Sequence, residues 1–382
     1  MKINYDVIVS GAGPAGCTCA YFLAREGLRV LLLEKRKIPR EKLCAGGVPG
    51  RVFNLLPIES FKERCISLKK YILSFGLTKT AAGEFSEGNL YSVERDKFDA
   101  CLAELAKVAG ADLAEECNLI GVEDFGKYVT VTTKDNKAYS AYYLAASDGG
   151  FSTVAEQFGF FSKDESCFGT CGFFRLYAGV EALEKYRHTV HLDFNFIPGG
   201  VAGIVPKTDY LWTGIYCGRK AKFAEMGSAA LKFAGMLGIT GTHDGFRGMF
   251  IPLYRKKNNP VKGRVLLLGE AARLVNPLSG DGILPAVQSG IIASEVIIKA
   301  LGQNENIDEY SRRIYEEIGR EMLIAQKFEK IAYIFPDIAY EGLVKIGSEA
   351  LGTLNGTLSY QNFYERLKRK INMKITQALL LK

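Results

Sequence analysis

The chain has 382 residues, enough for two or more structural units with their own cores. Hydrophobic residues make up 48% and charged residues 24%, which excludes a disordered chain. The formal charge of +7 suits anionic surfaces or cofactors, but it is diffuse and shows no aromatic-interleaved basic stripe, so nucleic acid is not expected as a partner.

Residues 5–35 read YDVIVSGAGPAGCTCAYFLAREGLRVLLLEK. An apolar run at 7–9 meets the turn Gly11-Ala12-Gly13-Pro14-Ala15-Gly16. A helical pattern then ends near Gly27, and a second apolar run at 30–33 ends in Glu34. Strand, tight turn, helix, strand, acid is the dinucleotide-binding fingerprint. Gly11 permits the sharp turn, Gly13 lets a pyrophosphate approach the backbone, and Gly16 lets the helix pack on the strand. The pyrophosphate is expected at the helix N-terminus, where free N–H groups and the dipole favour negative charge. Glu34 is placed to accept hydrogen bonds from a ribose. A bare βα turn is the bland alternative, and the flanking strands and acid outweigh it. The motif does not separate NAD from FAD.

Between Pro39 and Pro49 and just before them lies a basic, Gly-rich loop holding Lys35, Arg36, Lys37, Arg40, Lys42, Cys44, Ala45, Gly46 and Gly47. It could wrap a phosphate-rich cofactor or serve as a solvated linker. Nothing adjacent makes a Cys–His pair, so Cys44 reads as a small residue packing on the cofactor and not as a nucleophile. Residues 67–93 read as strands leaving the first unit. An amphipathic helix over 96–110 shows Phe98, Leu102, Leu105 and Val108 on one face. Arg95 at its start either contacts the cofactor or pairs with Asp99. A strand at 142–146 then ends in Ser147-Asp148-Gly149-Gly150. Asp148 and Gly149 suit polar cofactor groups at the carboxyl end of a parallel sheet, although Asp-Gly is also a common turn pair.

From 161 to 254 the pattern is all-β with one helix near 221–237, and a β-rich insertion of this kind is expected to carry the substrate. Its single Trp, Trp212, reads as core. A buried strand at 265–268 leads through Gly269, Glu270, Pro277, Gly280 and Gly282 into a helix starting near Ile283, whose N-terminus gives a second set of free N–H groups. Residues 283–301 are the longest apolar stretch. Gln288, Ser289, Ser294 and Glu295 interrupt it, so it reads as a packed helix and not a membrane span. Residues 304–382 read as helices. Phe363, Leu367, Ile371, Ile375 and Leu379 repeat every four residues beside Arg366, Lys368, Arg369, Lys370 and Lys374. This is a basic amphipathic helix, either resting peripherally on a membrane surface or packed on the body.

Only three His occur (His188, His191, His243), and the nine Cys lack C-x-x-C spacing. No metal site is expected. Reduced thiols and an opening strand without a signal-peptide pattern fit a cytoplasmic protein.

Three motifs in order, GAGPAG with Glu34, ASDGGFS at 146–152 and LLLGEAARLVNPLSGDGI at 266–283, resemble the FAD-binding fold of p-hydroxybenzoate hydroxylase and its relatives. Within that group IPREKLCAGG at 38–47 is similar to the P-x-x-K-x-C-G-G segment of the geranylgeranyl reductase family. VERDKFDACL at 93–102, NPLSGDGI with AVQSG at 286–290, and LSYQNFYERL at 358–367 are similar to further segments of it. The resemblance implies an α/β fold with a Rossmann-like FAD-binding domain (1–66, 94–160 and 255–303), an inserted β-rich substrate domain (67–93 and 161–254) and a C-terminal helical region (304–382). It implies FAD contacts at Ala15, Glu34, Cys44, Ala45, Gly47, Arg95, Leu119, Glu270, Gly282 and Ile283, with Leu119 placed by spacing only. Lys35, Gly269 and Gly280 are added from the motifs themselves.

Two departures stand out. The family's Asp in the last motif is Glu270 here, and a longer carboxylate still reaches a ribityl hydroxyl or a water. The family's P-G-G-Y-x-W-x-F-P segment is PGGVAGIVP, with Val201, Gly203 and Val205 at the aromatic positions, which reshapes the pocket wall. The activity implied is FAD-dependent reduction of C=C bonds in a prenyl, geranylgeranyl-type chain on an apolar or lipid substrate, with hydride from flavin N5. The electron donor is NAD(P)H or reduced ferredoxin. The alternatives are a flavin monooxygenase of a small aromatic or polyketide-like molecule, and a flavin-binding protein without catalysis. No catalytic residue or proton donor is assigned.

Overall fold

The computed structural model describes residues 3–161, 167–303, 305–346 and 359–370. Strand β1 (Tyr5–Ser10) lies at the centre of a mainly parallel sheet, and its Val7, Ile8 and Val9 are fully buried, as strands covered on both faces must be. Helix α1 (Pro14–Arg25) starts on a proline, whose fixed φ suits the first helical position. Strand β2 (Val30–Leu33) pairs parallel with β1. Helix α2 (Arg95–Val108) packs on α1. Strand β3 (Ala138–Ala146) pairs parallel with β1 on its other side. The sheet order is Val261–Lys262, Val265–Leu267, β3, β1, β2, Asp112–Ala114. The antiparallel strands Val129–Thr133 and Leu119–Asp124 extend from β3.

A second sheet holds the β-rich segment. Its strands are β4 (Phe168–Ala178), β5 (Thr189–Phe194), β6 (Gly200–Pro206), β7 (Leu211–Cys217) and β8 (Arg247–Pro252). Lys70–Phe75 and Lys79–Glu84 complete one edge. Helix α3 (Phe223–Met236) covers one face. Period-2 alternation divides each strand between the two faces. On β6, Ala202 and Ile204 pack with Phe233 of α3, while Val201, Gly203 and Val205 point to the other side, toward a cavity.

Helix α4 (Ile283–Gln303) is long and apolar enough to cross a membrane by length and composition, yet 72% of that window is buried. It lies so close to α1 that a Cβ on Gly290 would sit 2.5 Å from the Ala15 carbonyl oxygen. A helix Glu309–Ile314 runs through a π-turn at Tyr315–Gly319 into α5 (Arg320–Ile334), followed by α6 (Pro336–Ile346). Of the expected basic C-terminal helix, Tyr360–Lys370 is helical, and residues 371–382 lie outside the described residues.

On the α3 side of β5 sits a buried polar cluster. Ser74 Oγ donates to Asp193 Oδ2 at 2.5 Å and lies 2.9 Å from His191 Nε2. Asp193 also accepts the N–H groups of Gly76 and Leu77, at 3.0 and 2.8 Å. These are the residue types of a hydrolase triad, wired differently: the serine proton is committed to the carboxylate and not to the imidazole. The cluster's task is to hold the tight turn after Phe75, where Leu77 takes a left-handed φ of 59°.

Burial, with the Lys185 charge as a lesser cause, pushes the His191 imidazole down to about 4. In the unfolded chain the same ring takes its proton near 6.5. The unfolded state therefore binds the proton first, and stability is lost as pH falls from about 6.5 toward 4. Urea midpoints at pH 7 and pH 5 should separate more in the wild type than in His191→Gln; equal separations would remove His191 as a cause. A second expectation concerns Gly11. Its φ is +97°, and a Cβ there would lie 2.4 Å from the Ser147 carbonyl oxygen. Gly11→Ala should cost about 2–4 kcal/mol, read as a lowered denaturant midpoint, and an unchanged midpoint would refute the strained-turn account.

Candidate active site

One cavity of about 1960 Å³ runs from the first glycine turn across the face of the second sheet, larger than a site for one small ligand needs. Gly11, Gly13, Ala15, Glu34 and Lys35 line its first end, with Leu119, Asp148 and Gly149 beside them. Cys44, Ala45, Gly47 and Arg95 line its middle, as do Glu270, Gly280, Gly282 and Ile283. Val201, Gly203 and Val205 line the far end. Gly16 and Gly269 fall outside the lining and act in packing. A Cβ on Gly16 would strike the Gly11 carbonyl, and Gly269 donates its N–H to Ser289 Oγ at 3.0 Å.

The first end suits a dinucleotide. The N-cap of α1 is Gly13, with no side chain capping the helix. A Cβ there would meet nothing nearer than Arg40, 4.0 Å away, so the approach to the backbone is open. Glu34 is buried at the end of β2. Its carboxylate accepts the Ala12 N–H and the Arg36 N–H, each at 3.1 Å. Asp148 Oδ1 is buried in the wall without a hydrogen-bond partner among the described residues. Burial, opposed by hydrogen bonds from Ser152 and nearby backbone N–H groups, raises its pKa. An uncapped helix N-terminus for a diphosphate, a ribose-ready carboxylate and an orphaned acceptor fit the donor and acceptor needs of FAD.

Arg40 was legible only as part of a basic loop, and its place is specific. Its guanidinium lies 3.1 Å from Glu34, 2.9 Å from Asp99, and donates to the Ala12 carbonyl at 3.1 Å. Arg95 makes the expected pair with Asp99, two-pronged at 3.0 and 3.1 Å, and also lines the cavity.

Lys42 lies 3.2 Å from Glu270. Burial raises the Glu270 carboxyl, and Lys42, with Arg95 and the Gly150 N–H as lesser causes, outweighs it, leaving the pKa below the ordinary range. The loop 276–282 is folded by Asn276, whose Oδ1 accepts the N–H groups of Leu278 and Ser279 at 2.9 and 3.1 Å. Asp281 accepts the Ile283 N–H at 2.9 Å. Burial raises its carboxyl to about 6, with only backbone N–H groups opposing. No sequence signal beyond its place in the motif marked Asp281.

The wall beyond is apolar. Trp212, expected as core, is buried and also lines the cavity; its Nε1–H donates to the Cys44 carbonyl, and it stacks on Phe173 at 5.6 Å. Lys207 is buried behind the same loop, donating to Ser92 Oγ at 2.9 Å and the Val93 carbonyl at 2.6 Å; burial pushes it down to about 8. Residues of helices α5 and α6 line part of the cavity. Glu329 of α5 pairs with Arg255, and the Tyr340 hydroxyl of α6 donates to the Leu73 carbonyl at 3.4 Å.

The FAD binding domain family matches residues 4–216. The digeranylgeranylglycerophospholipid reductase of Methanocaldococcus jannaschii is 30% identical over 386 residues, spanning 96% of this chain and 95% of that protein. The enzyme of that name from Methanosarcina acetivorans is 31% identical, spanning 84% and 82%. A geranylgeranyl bacteriochlorophyll reductase-like protein of Thermoplasma acidophilum shares the fold at a TM-score of 0.78 and 24% identity, over 90% of this chain and 91% of its own. The p-nitrophenol 4-monooxygenase of Pseudomonas putida shares it at 0.76 and 17%, over 96% and 99%, so the fold alone does not choose between reduction and hydroxylation. With a family match over more than half of its length and relatives of 30% identity or more aligned over most of theirs, the chain belongs to the geranylgeranyl reductase family of FAD-dependent oxidoreductases.

Proposed function

We propose that the protein reduces C=C bonds in a prenyl chain of the geranylgeranyl type carried by a lipid. The observation that carries this reading is the continuity of the cavity. A polar dinucleotide cradle opens without a partition onto the apolar face of a sheet lined by Val190, Leu192, Val201, Val205 and Ile251. An extended hydrocarbon gains about 25 cal/mol for each Å² it buries on such a surface. The relatives' name, digeranylgeranylglycerophospholipid reductase, supports the same substrate class.

When bound, reduced FAD supplies the hydride, from N5, that one alkene carbon receives. The protein's residues do the rest. Glu34, Gly13, Asp148 and Arg95 hold the cofactor's polar parts. The sheet face and the α5–α6 cover align the chain and keep water from it. The second alkene carbon needs a proton, and the Asp281 carboxyl is the cavity-wall group fitted to hold one near neutral pH. Glu270 is held ionised by Lys42 and is the poorer donor. Electrons enter from NAD(P)H or a reduced ferredoxin.

Anaerobic protein, its flavin reduced with dithionite, should be reoxidised on addition of a geranylgeranyl lipid, with two hydrogens gained per double bond by mass. Reoxidation that waits for air, with oxygen entering an added phenol, would replace this reading by the monooxygenase. Running the assay from NADH, NADPH and reduced ferredoxin in turn identifies the donor. Asp281→Asn should retain FAD and lower turnover about 100-fold. The wild-type rate should fall as pH rises through the carboxyl's pKa, and the variant should lose that limb. An unchanged rate and profile would remove Asp281 from the proton path.

A further inference from the structure

The junction of α5 and α6 is unusual in its exposure. Helix α5 ends at Ile334, Phe335 breaks the helix with φ −130° and ψ 63°, and Pro336 begins α6. A proline cannot continue the preceding hydrogen-bond ladder, so the chain turns there. At this elbow Tyr333, Ile334, Phe335 and Ile338 are 46%, 59%, 38% and 44% exposed. Four large apolar side chains within six residues form a patch, not scattered surface residues. Tyr333, Ile334 and Ile338 also line the cavity, so the patch is its rim.

The charges around the rim are mainly positive. Lys327 and Lys330 are exposed on the last turns of α5, and Arg219 and Lys220 on the strand-to-helix loop beside it. The Arg219 guanidinium stands 4.3 Å over the Tyr333 ring. The nearby acids are engaged: Glu329 with Arg255, and Asp337 and Glu341 with Lys79 at 3.5 and 4.0 Å.

We propose that the 333–338 elbow is a membrane-docking surface that rests on an anionic phospholipid leaflet and delivers the prenyl chain directly into the cavity. Apolar side chains and an interfacial tyrosine enter the headgroup boundary while the flanking cations meet lipid phosphates. The same charge pattern argues against a second copy of this chain on the patch, because pairing would bring like charges together. The proposal rests on the prenyl-lipid reading for its purpose and not for its test.

The test is flotation of the FAD-loaded full chain with phosphatidylglycerol vesicles and with phosphatidylcholine vesicles. The wild type should float with the anionic vesicles and less with the neutral ones. Ile334→Glu/Phe335→Glu should lower the bound fraction about tenfold, with FAD content and thermal midpoint unchanged. A double variant that floats like the wild type would overturn the proposal and move the contact elsewhere on the chain. A wild type that binds neither vesicle would overturn it too. A parallel assay of the wild type on a detergent-solubilised short prenyl substrate keeps the two readings apart. Turnover without vesicle binding sinks the docking surface alone, and vesicle binding lost with the elbow but no turnover leaves the surface standing and sinks the reductase reading.

Discussion

Two buried carboxylates, Glu34 and Asp99, set the conditions for the residues around them. Neither stands free of cations: Arg40 contacts both, and Arg95 closes the set from one turn before Asp99. The pairs themselves add little net stability, because desolvation consumes most of the attraction. Removing Arg40 is another matter, since it would leave the buried Glu34 charge without its cation, at about 3–5 kcal/mol. The set joins the end of β2, the first glycine turn, the basic loop and α2 into one unit. Glu34 holds the Ala12 N–H and Arg40 holds the Ala12 carbonyl. The first glycine turn is thereby fixed by the protein's own charges.

The second sheet separates two tasks by alternation. Toward α3 it buries a polar cluster that holds a turn; toward the cavity it is apolar. The absence of rings on β6 is partly made good by its neighbours. Gly203 faces Gly214 across the β6–β7 pair, Val205 faces Trp212 and Val201 faces Tyr216. The Phe173 ring lies over Gly214, where a Cβ would come within 2.1 Å of it. Tyr216 ties this wall to the loop 276–282, with its hydroxyl on the Pro277 carbonyl at 2.5 Å. The wall keeps its aromatic character, but the rings come from β4 and β7, leaving a bare strip on β6.

What was legible in the sequence was local. The glycine turn with Glu34, the buried strands and the start of α4 at Ile283 each rest on signals within a few residues. The strand at 142–146 proved longer, Ala138–Ala146, because its first half pairs antiparallel with Val129–Thr133. The rest depends on contacts far apart in the chain. Trp212 reaches Cys44 across 168 positions and Lys42 reaches Glu270 across 228. Neither residue carries a local mark of such a partner, so Trp212 read as core and Lys42 as one basic residue among several. The π-turn at Tyr315–Gly319 was equally hidden. A Cβ on Gly319 would meet the Tyr254 hydroxyl at 2.4 Å, and that close approach belongs to the tertiary fold.

The polar and apolar ends of the cavity meet where Glu270 and Asp281 stand, on the two sides of one short segment. Their environments push the two carboxyl groups in opposite directions, the arrangement that separates an acid from a permanently charged group at one site. Both are half-buried in the cavity wall, so exposure does not separate them. The main difference is Lys42, with Arg95 and the Gly150 N–H as lesser causes. The Lys42 ammonium lies beside Glu270 and holds it ionised, while Asp281 has only backbone N–H groups to oppose its desolvation. Lys42 is carried by the same loop that Arg40 anchors to Glu34 and Asp99. The charge state at Glu270 is therefore linked to the Glu34 and Asp99 ion pairs through three residues of chain, from Arg40 to Lys42.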